Sequence, residues 1–420
     1  MRKLFFAVLF IYVLYAIAIS TYLFTIETSL PEHFVGTEAD PETFMEEEQL
    51  ILAKDFSKWR NVIYFIDTPF EWLIYLFVLI FGLSHLFSQW SKQLVRYRFV
   101  YTGLYVILLA SFSWIATFPL SYFSYSISTK FGISVQSFES WMKDQLISFW
   151  IGAIILTVIA YVIMLLVSKS PKKWWLYTWL LSIPFTIFLM FIQPVVIDPL
   201  YHDFYPIQDK LLEQDILRLA QEADIPADRV YEVKMSDKTN GLNAYVTGIG
   251  ANLRIVLWDT TLMSLKREEV LFVMAHEMGH YHLNHLPLLL LGSLLASFVG
   301  LYITSKLYTL TINNLGSNLA LKRNDLAALP IILLIFSLLS FVASPVSNLI
   351  SRTYEYESDR YALGLTNDAD AAIATFHKLS VEGLADFNPP TFIKILRFTH
   401  PPMVERITHI REYSEKRKIE

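Results

Sequence analysis

"AHEMGHYHLNHLPLLLLGSLLASFVGLYITSK", residues 275–306, sets four of the chain's ten histidines directly before an apolar run of membrane length. That run, at about 286–306, is long enough for an α-helix to cross roughly 30 Å of hydrocarbon. Six more stretches of the same kind lie at about 4–24, 71–89, 99–119, 146–167, 174–195 and 328–348. Charged residues make up 17% of the sequence, against about 25% in a soluble domain. The fold class expected is therefore an α-helical polytopic membrane protein with seven transmembrane helices, a multi-pass protein of the cell membrane. The first stretch is too long for the apolar part of a signal peptide and reads as a retained helix.

Between the apolar stretches the chain divides into four parts. Residues 1–198 hold five transmembrane helices and their loops, including an acidic stretch at 27–50 read as solvated. Residues 199–285 form a small α/β segment, 286–350 hold helices six and seven, and 351–420 form a C-terminal helical segment. Within the α/β segment, "DKLLEQDILRLAQEADI" (209–225) has helical periodicity, with Leu211, Leu212, Ile216, Leu217 and Leu219 as its apolar stripe. "RVYEVKM", "NAYVTGIG" and "LRIVLWDT" read as strands, the last two joined by "GAN" at 250–252. A helix then restarts, with Ser264 as the expected N-cap and Glu268 and Glu269 in a first turn that favours acids. No cysteine is present, which excludes disulfides, thiolate metal sites and cysteine nucleophiles. No long basic tract points to nucleic acid.

His276, Glu277 and His280 form an H-E-x-x-H pattern. Histidines four apart on a helix stand about 6 Å apart along its axis, so both imidazoles can reach one tetrahedral zinc ion. Glu277 beside them can act as general base toward the attacking water. A third protein ligand is needed, and without thiolates it must be His, Asp or Glu. His282 points to another face, and His285 would be rotated away on a continuous helix. Glu355 and Asp359, at i and i+4 in "SRTYEYESDRYALGL", are better placed. One can ligate the metal while the other accepts a hydrogen bond from a ligand histidine. Glu357 between them should face away. The competing reading is a charged surface helix with Arg352 and Arg360 as partners.

Together these residues resemble the CaaX prenyl protease 1 family of membrane-embedded zinc metallopeptidases. "HEMGH" is similar to its zinc motif and "YEYESDRYA" to its E-x-x-x-D segment. The likeness continues, in chain order, through residues 119–144, 192–207, 243–262 and "HPPMVERI" at 400–407. The resemblance implies seven helices around a water-filled chamber, one zinc ion per chain, Glu355 as third ligand and Asp359 behind a ligand. It also implies a peptide or protein substrate with a prenylated C-terminus, met within membrane lipid. Asn243 is implied as a holder of the substrate backbone; a turn residue after "NG" is the alternative. His400, presented by the prolines that follow it, can stabilise an oxyanion, and Arg406 can hold a carboxylate of the substrate or of the site. Their alternatives are a loop histidine and a surface arginine.

Two further functions stay in view: a general quality-control protease of membrane proteins, and a non-catalytic membrane protein or zinc transporter. The apolar stretches hold almost no ionisable residues apart from His85, which disfavours transport. Basic residues place the N-terminus in the cytoplasm and residues 199–285 outside, whereas the resemblance implies a catalytic side facing the cytosol.

Overall fold

The computed structural model describes residues 1–248 and 253–419. The expected "GAN" connection lies outside them. Helices α1 (Arg2–Thr25), α2 (Glu47–Ile80), α3 (Leu83–Leu94), α4 (Arg98–Lys130), α5 (Phe138–Lys169) and α6 (Trp174–Ile192) come first. A small sheet and its helices follow: β1 (Phe204–Pro206), α7 (Lys210–Glu222), β2 (Val230–Val233), β3 (Ala244–Thr247), β4 (Arg254–Trp258), α8 (Asp259–Ser264) and α9 (Arg267–His282). The chain ends in α10 (His285–Leu315), α11 (Leu329–Thr366), α12 (Ala369–Glu382), α13 (Thr391–Arg397) and α14 (Met403–Ile419). Among the described residues seven helices are long and apolar enough to cross a membrane, as expected.

Their boundaries depart from the hydropathy reading in instructive ways. The expected span at 71–89 is two helices, because Gly82 takes a left-handed conformation (φ 78°) that ends α2 and starts α3. The true span begins 24 residues earlier, at Glu47. It therefore includes Asp67 as well as Glu71, whose carboxylate accepts a hydrogen bond from Tyr75 Oη at 2.8 Å. Nor is the acidic stretch a solvated loop. Ala39, Asp40 and Met45 are buried, Glu38 pairs with Arg411 at 2.6 Å, and Phe44 stacks on His377. The charge of Glu38 is matched from α14, more than 300 residues away, which no local pattern reports.

The sheet has the order β1-β2-β4-β3, with β2 and β4 parallel and the other pairs antiparallel. β1 is too short to leave a periodic signal, and β3 is an edge strand. Leu212, Ile216 and Leu219 of α7 bury against Val230, Ile255 and Leu257 of the sheet and against Val270, Met274 and Met278 of α9. Leu211 stays 64% exposed, one position off that face. Ser264 closes α8 instead of capping α9. The start of α9 is fixed by Glu269, whose carboxylate accepts the Lys266 backbone N–H at 2.6 Å and the Lys378 ammonium at 2.7 Å.

Candidate metal centre

α9 and α11 pack side by side, and their contact is set by Gly279. A Cβ on Gly279 would lie 3.2 Å from the Ser358 backbone and 3.2 Å from the Tyr361 ring. Without one, the helices close until the inward positions of α11 meet those of α9. The Nε2 atoms of His276 and His280 stand 3.2 Å apart. Glu355 places one carboxylate oxygen 3.3 Å from the first and the other 3.4 Å from the second. One ligand atom from each of these three residues lies within 4.8 Å of the others. Glu355 is 4% exposed, yet its Oε2 has no hydrogen-bond partner among the described residues. Its charged neighbours are His276 Nε2 at 3.3 Å and Arg406 Nη1 at 3.5 Å, neither of which makes a hydrogen bond to it, and a buried carboxylate oxygen so placed is suited to a cation.

The supports of this cluster are equally defined. His276 Nδ1–H donates to Asp359 Oδ1 at 2.9 Å, so its Nε2 is turned toward Glu355. Asp359 in turn accepts from Arg406 Nε at 2.9 Å and Nη2 at 2.6 Å. This two-pronged guanidinium–carboxylate bond is held between buried partners, and the Arg406 guanidinium also lies 4.5 Å from the Phe376 ring centre. Burial opposes charge on His276, but its bond to Asp359 and the adjacent Glu355 carboxylate outweigh that and push it up to about 10. The field at His276 favours a positive charge, and a metal cation satisfies it by displacing the proton.

The Glu277 side chain makes no hydrogen bond among the described residues, and burial pushes its carboxyl up, against His276 and His280. His400 is held in "THPPM" with its Nε2 3.3 Å from Glu355 Oε1. Burial keeps its imidazole below the ordinary range, with Glu355 opposing. Its placement depends on Arg352, which donates to the carbonyls of Lys394 at 2.9 Å and Phe398 at 2.6 Å. No hydrogen bond among the described residues joins Asn243, at the head of β3, to the cluster. The Asn243 backbone is bonded to Thr261 Oγ1, at 2.8 Å through N–H and 2.7 Å through C=O. Its side-chain amide is exposed and without a partner among the described residues.

Residues 206–414 match peptidase family M48, and residues 21–203 match the CAAX prenyl protease N-terminal family of five membrane helices. The chain is 48% identical to the Bacillus subtilis "uncharacterized metalloprotease YhfN", over 97% of this chain and 96% of that one. It is 30% identical to the CAAX prenyl protease 1 of Saccharomyces cerevisiae, over 74% and 72%. In fold it is similar to the crystal structure of S. mikatae Ste24p, with a TM-score of 0.79 at 24% identity over 95% of this chain and 96% of that one. The chain belongs to the CaaX prenyl protease 1 family. It is thus a multi-pass membrane metallopeptidase, an enzyme that acts on peptides or proteins with the help of a metal.

In this member of the family the structure adds two residues to those read from the sequence. α9 does not run on into α10. Asn284 takes a left-handed conformation (φ 59°) and turns the chain, so His285 comes back to the cluster. His285 Nδ1 lies 3.1 Å from His280 Nδ1, and its Nε2 lies 3.0 Å from Glu357. With His280 Nε2 directed at Glu355, its Nδ1–H donates to His285, whose Nε2–H donates to Glu357. Glu357, expected to face away, reaches the cluster through this relay. His285 also stacks on Tyr354 at 4.1 Å. The signal that could have found the turn is "LNH", since asparagine tolerates the left-handed region better than most residues. His282 leaves the cluster, with its Nδ1 3.1 Å from the Ala223 carbonyl.

Proposed function

We propose that the chain is a zinc endopeptidase whose one zinc ion is held by His276, His280 and Glu355. The observation that carries this is the convergence of two imidazole nitrogens and a buried carboxylate within 4.8 Å. Two nitrogens and one hard oxygen, with no thiolate, make a ligand set of the catalytic zinc type. Zinc held there supplies a Lewis acid that lowers the pKa of water to about 7. Glu277 takes the proton of the attacking water and returns it to the leaving amine, a task suited to a carboxyl raised by burial. His400 is the donor toward the developing oxyanion. Asn243 holds the substrate backbone where β3 offers its free edge, and an extended peptide adds there as a further strand. Arg406 and Asp359 act through His276, fixing its tautomer and orientation.

Relatives such as that of Saccharomyces cerevisiae are named CAAX prenyl protease 1, and we carry prenylated CaaX substrates to this chain within the same reading. The test uses protein purified in detergent, with bound metal quantified beside cleavage of a prenylated and an unprenylated fluorogenic peptide. Stoichiometric zinc, cleavage by the wild type and retained zinc without cleavage in Glu277→Gln are expected. Preference for the prenylated peptide is expected too. Equal cleavage of both would reassign the enzyme to general turnover of membrane proteins. A wild type without zinc, or an active Glu277→Gln, would overturn the metal-centre reading.

A further inference from the structure

Outside the metal cluster, charge concentrates where α2 meets residues 386–398. Ser57 Oγ donates to the Asp386 carboxylate. Asn61 Nδ2 donates to Ser57 Oγ at 3.3 Å, and the Arg397 guanidinium donates to Asn61 Oδ1. Arg397 is packed between the rings of Tyr64 at 5.8 Å and Phe398 at 5.6 Å. Burial pushes it down to about 10, the neighbouring charge of Arg60 adds to that, and Asp386 opposes it. Asp386 is the one carboxylate among these groups, and it reaches Arg397 only through Ser57 and Asn61. Arg60 is exposed and makes no hydrogen bond or ion pair among the described residues. Its guanidinium lies only against the Phe56 ring, 5.3 Å from its centre.

The position of Arg60 shows what it faces. Residues 60, 63 and 67 share one face of α2. Ile63 and Asp67 line a cavity of about 350 Å³, together with Ser124, Tyr125 and Gln145. Ser134 in the same lining pairs with Thr239, on the approach to Asn243 and β3. Arg397 precedes His400 by three residues, which can span at most about 11 Å of chain, and His400 touches Glu355. The face of α2 that carries Arg60 thus lines a cavity one turn further on, and Arg397 lies three residues from His400, a span that a short extended peptide of roughly 3.3 Å per residue can cover.

We infer that Arg60 and Arg397 bind the free C-terminal carboxylate of the peptide substrate and so fix the cut a few residues from its end. This rests on the peptidase reading above. A carboxylate fits because a guanidinium offers paired donors that match its two oxygens. It is also the anion that every unblocked linear peptide brings. Cleavage becomes a measurement from the end of the chain, with Arg60 as the mark from which the distance is counted.

The experiment reads binding without turnover. Full-length Glu277→Gln protein, zinc-loaded in detergent, is titrated with one fluorescent peptide made as the free acid and as the C-terminal amide. The acid should bind about tenfold tighter, the effect of one charged hydrogen-bonded contact. That preference should vanish in Arg60→Gln and be largely restored in Arg60→Lys. Arg397→Gln, whose folding is checked by its unfolding temperature, should lose it as well. Equal binding of acid and amide, or no binding of either, overturns the inference, as does a preference that survives both glutamine variants. Wild-type cleavage of acid and amide alike, with zinc bound, would leave the peptidase reading standing while this one fell. Absent zinc and absent cleavage would remove the peptidase reading, and the acid–amide comparison would still be read from binding.

Discussion

α11 is one helix in two solvents. Its first half, Leu329 to Ile350, contains no charged residue, and Leu329, Ile331, Ile332 and Ile335 are buried among apolar neighbours. Its second half carries Arg352, Glu355 and Asp359, all buried and all tied to partners from other elements. The halves follow opposite rules. In the first, side chains are interchangeable to the extent that their volumes match, because packing alone holds them. In the second, each buried charge has a named partner, so removal of one strands another. The comparison predicts that equal-sized changes in the two halves differ in kind, with function lost from one and stability lost from the other.

Glu355→Gln should have the largest effect. It keeps the volume but removes the anionic ligand, so metal analysis of the purified protein should find the zinc gone and peptide cleavage with it. Retained zinc would mean that the third ligand lies elsewhere. Asp359→Asn comes next. It leaves Arg406 without its bidentate acceptor and His276 without an anionic partner, and should weaken metal affinity roughly 10–100-fold in a chelator competition. Gly279→Ala tests the contact that brings the two pairs of residues together. The added methyl must push Ser358 away, and a loss of about tenfold in metal affinity, of the order seen when groups behind metal ligands are displaced, is expected. Ile332→Ala, in the apolar half, should cost about 2 kcal/mol of stability through lost packing. Its zinc content should be unchanged. A variant of that half that loses metal before it loses stability would break the contrast.

The sequence carried the two halves unequally. The apolar half is legible as a run of hydropathy, and the seven spans were found that way, with an error where Gly82 ends a helix inside an unbroken apolar run. The candidate site residues are legible because each pair obeys a short-range rule: His276 and His280, like Glu355 and Asp359, are four apart. His285 escapes the same rule because the helix stops at Asn284, between it and His280. The Glu38–Arg411 pair and the Asn61–Arg397 bond join residues more than 300 positions apart, and no periodicity couples them. Local spacing announces which side chains share a helix face. It is silent on which faces will meet.

The dependence of the metal centre on Arg406 and His400 has a consequence in time. A ribosome delivers His276, Glu277 and His280 well before Glu355, and Glu355 more than forty residues before His400 and Arg406. Until residue 406 has emerged and docked on Asp359, His276 lacks its full support and His400 is absent from Glu355. On the proposed reading, a peptidase threaded into a membrane among other unfinished chains, its own included, would be kept from working until its assembly has reached the last of these residues.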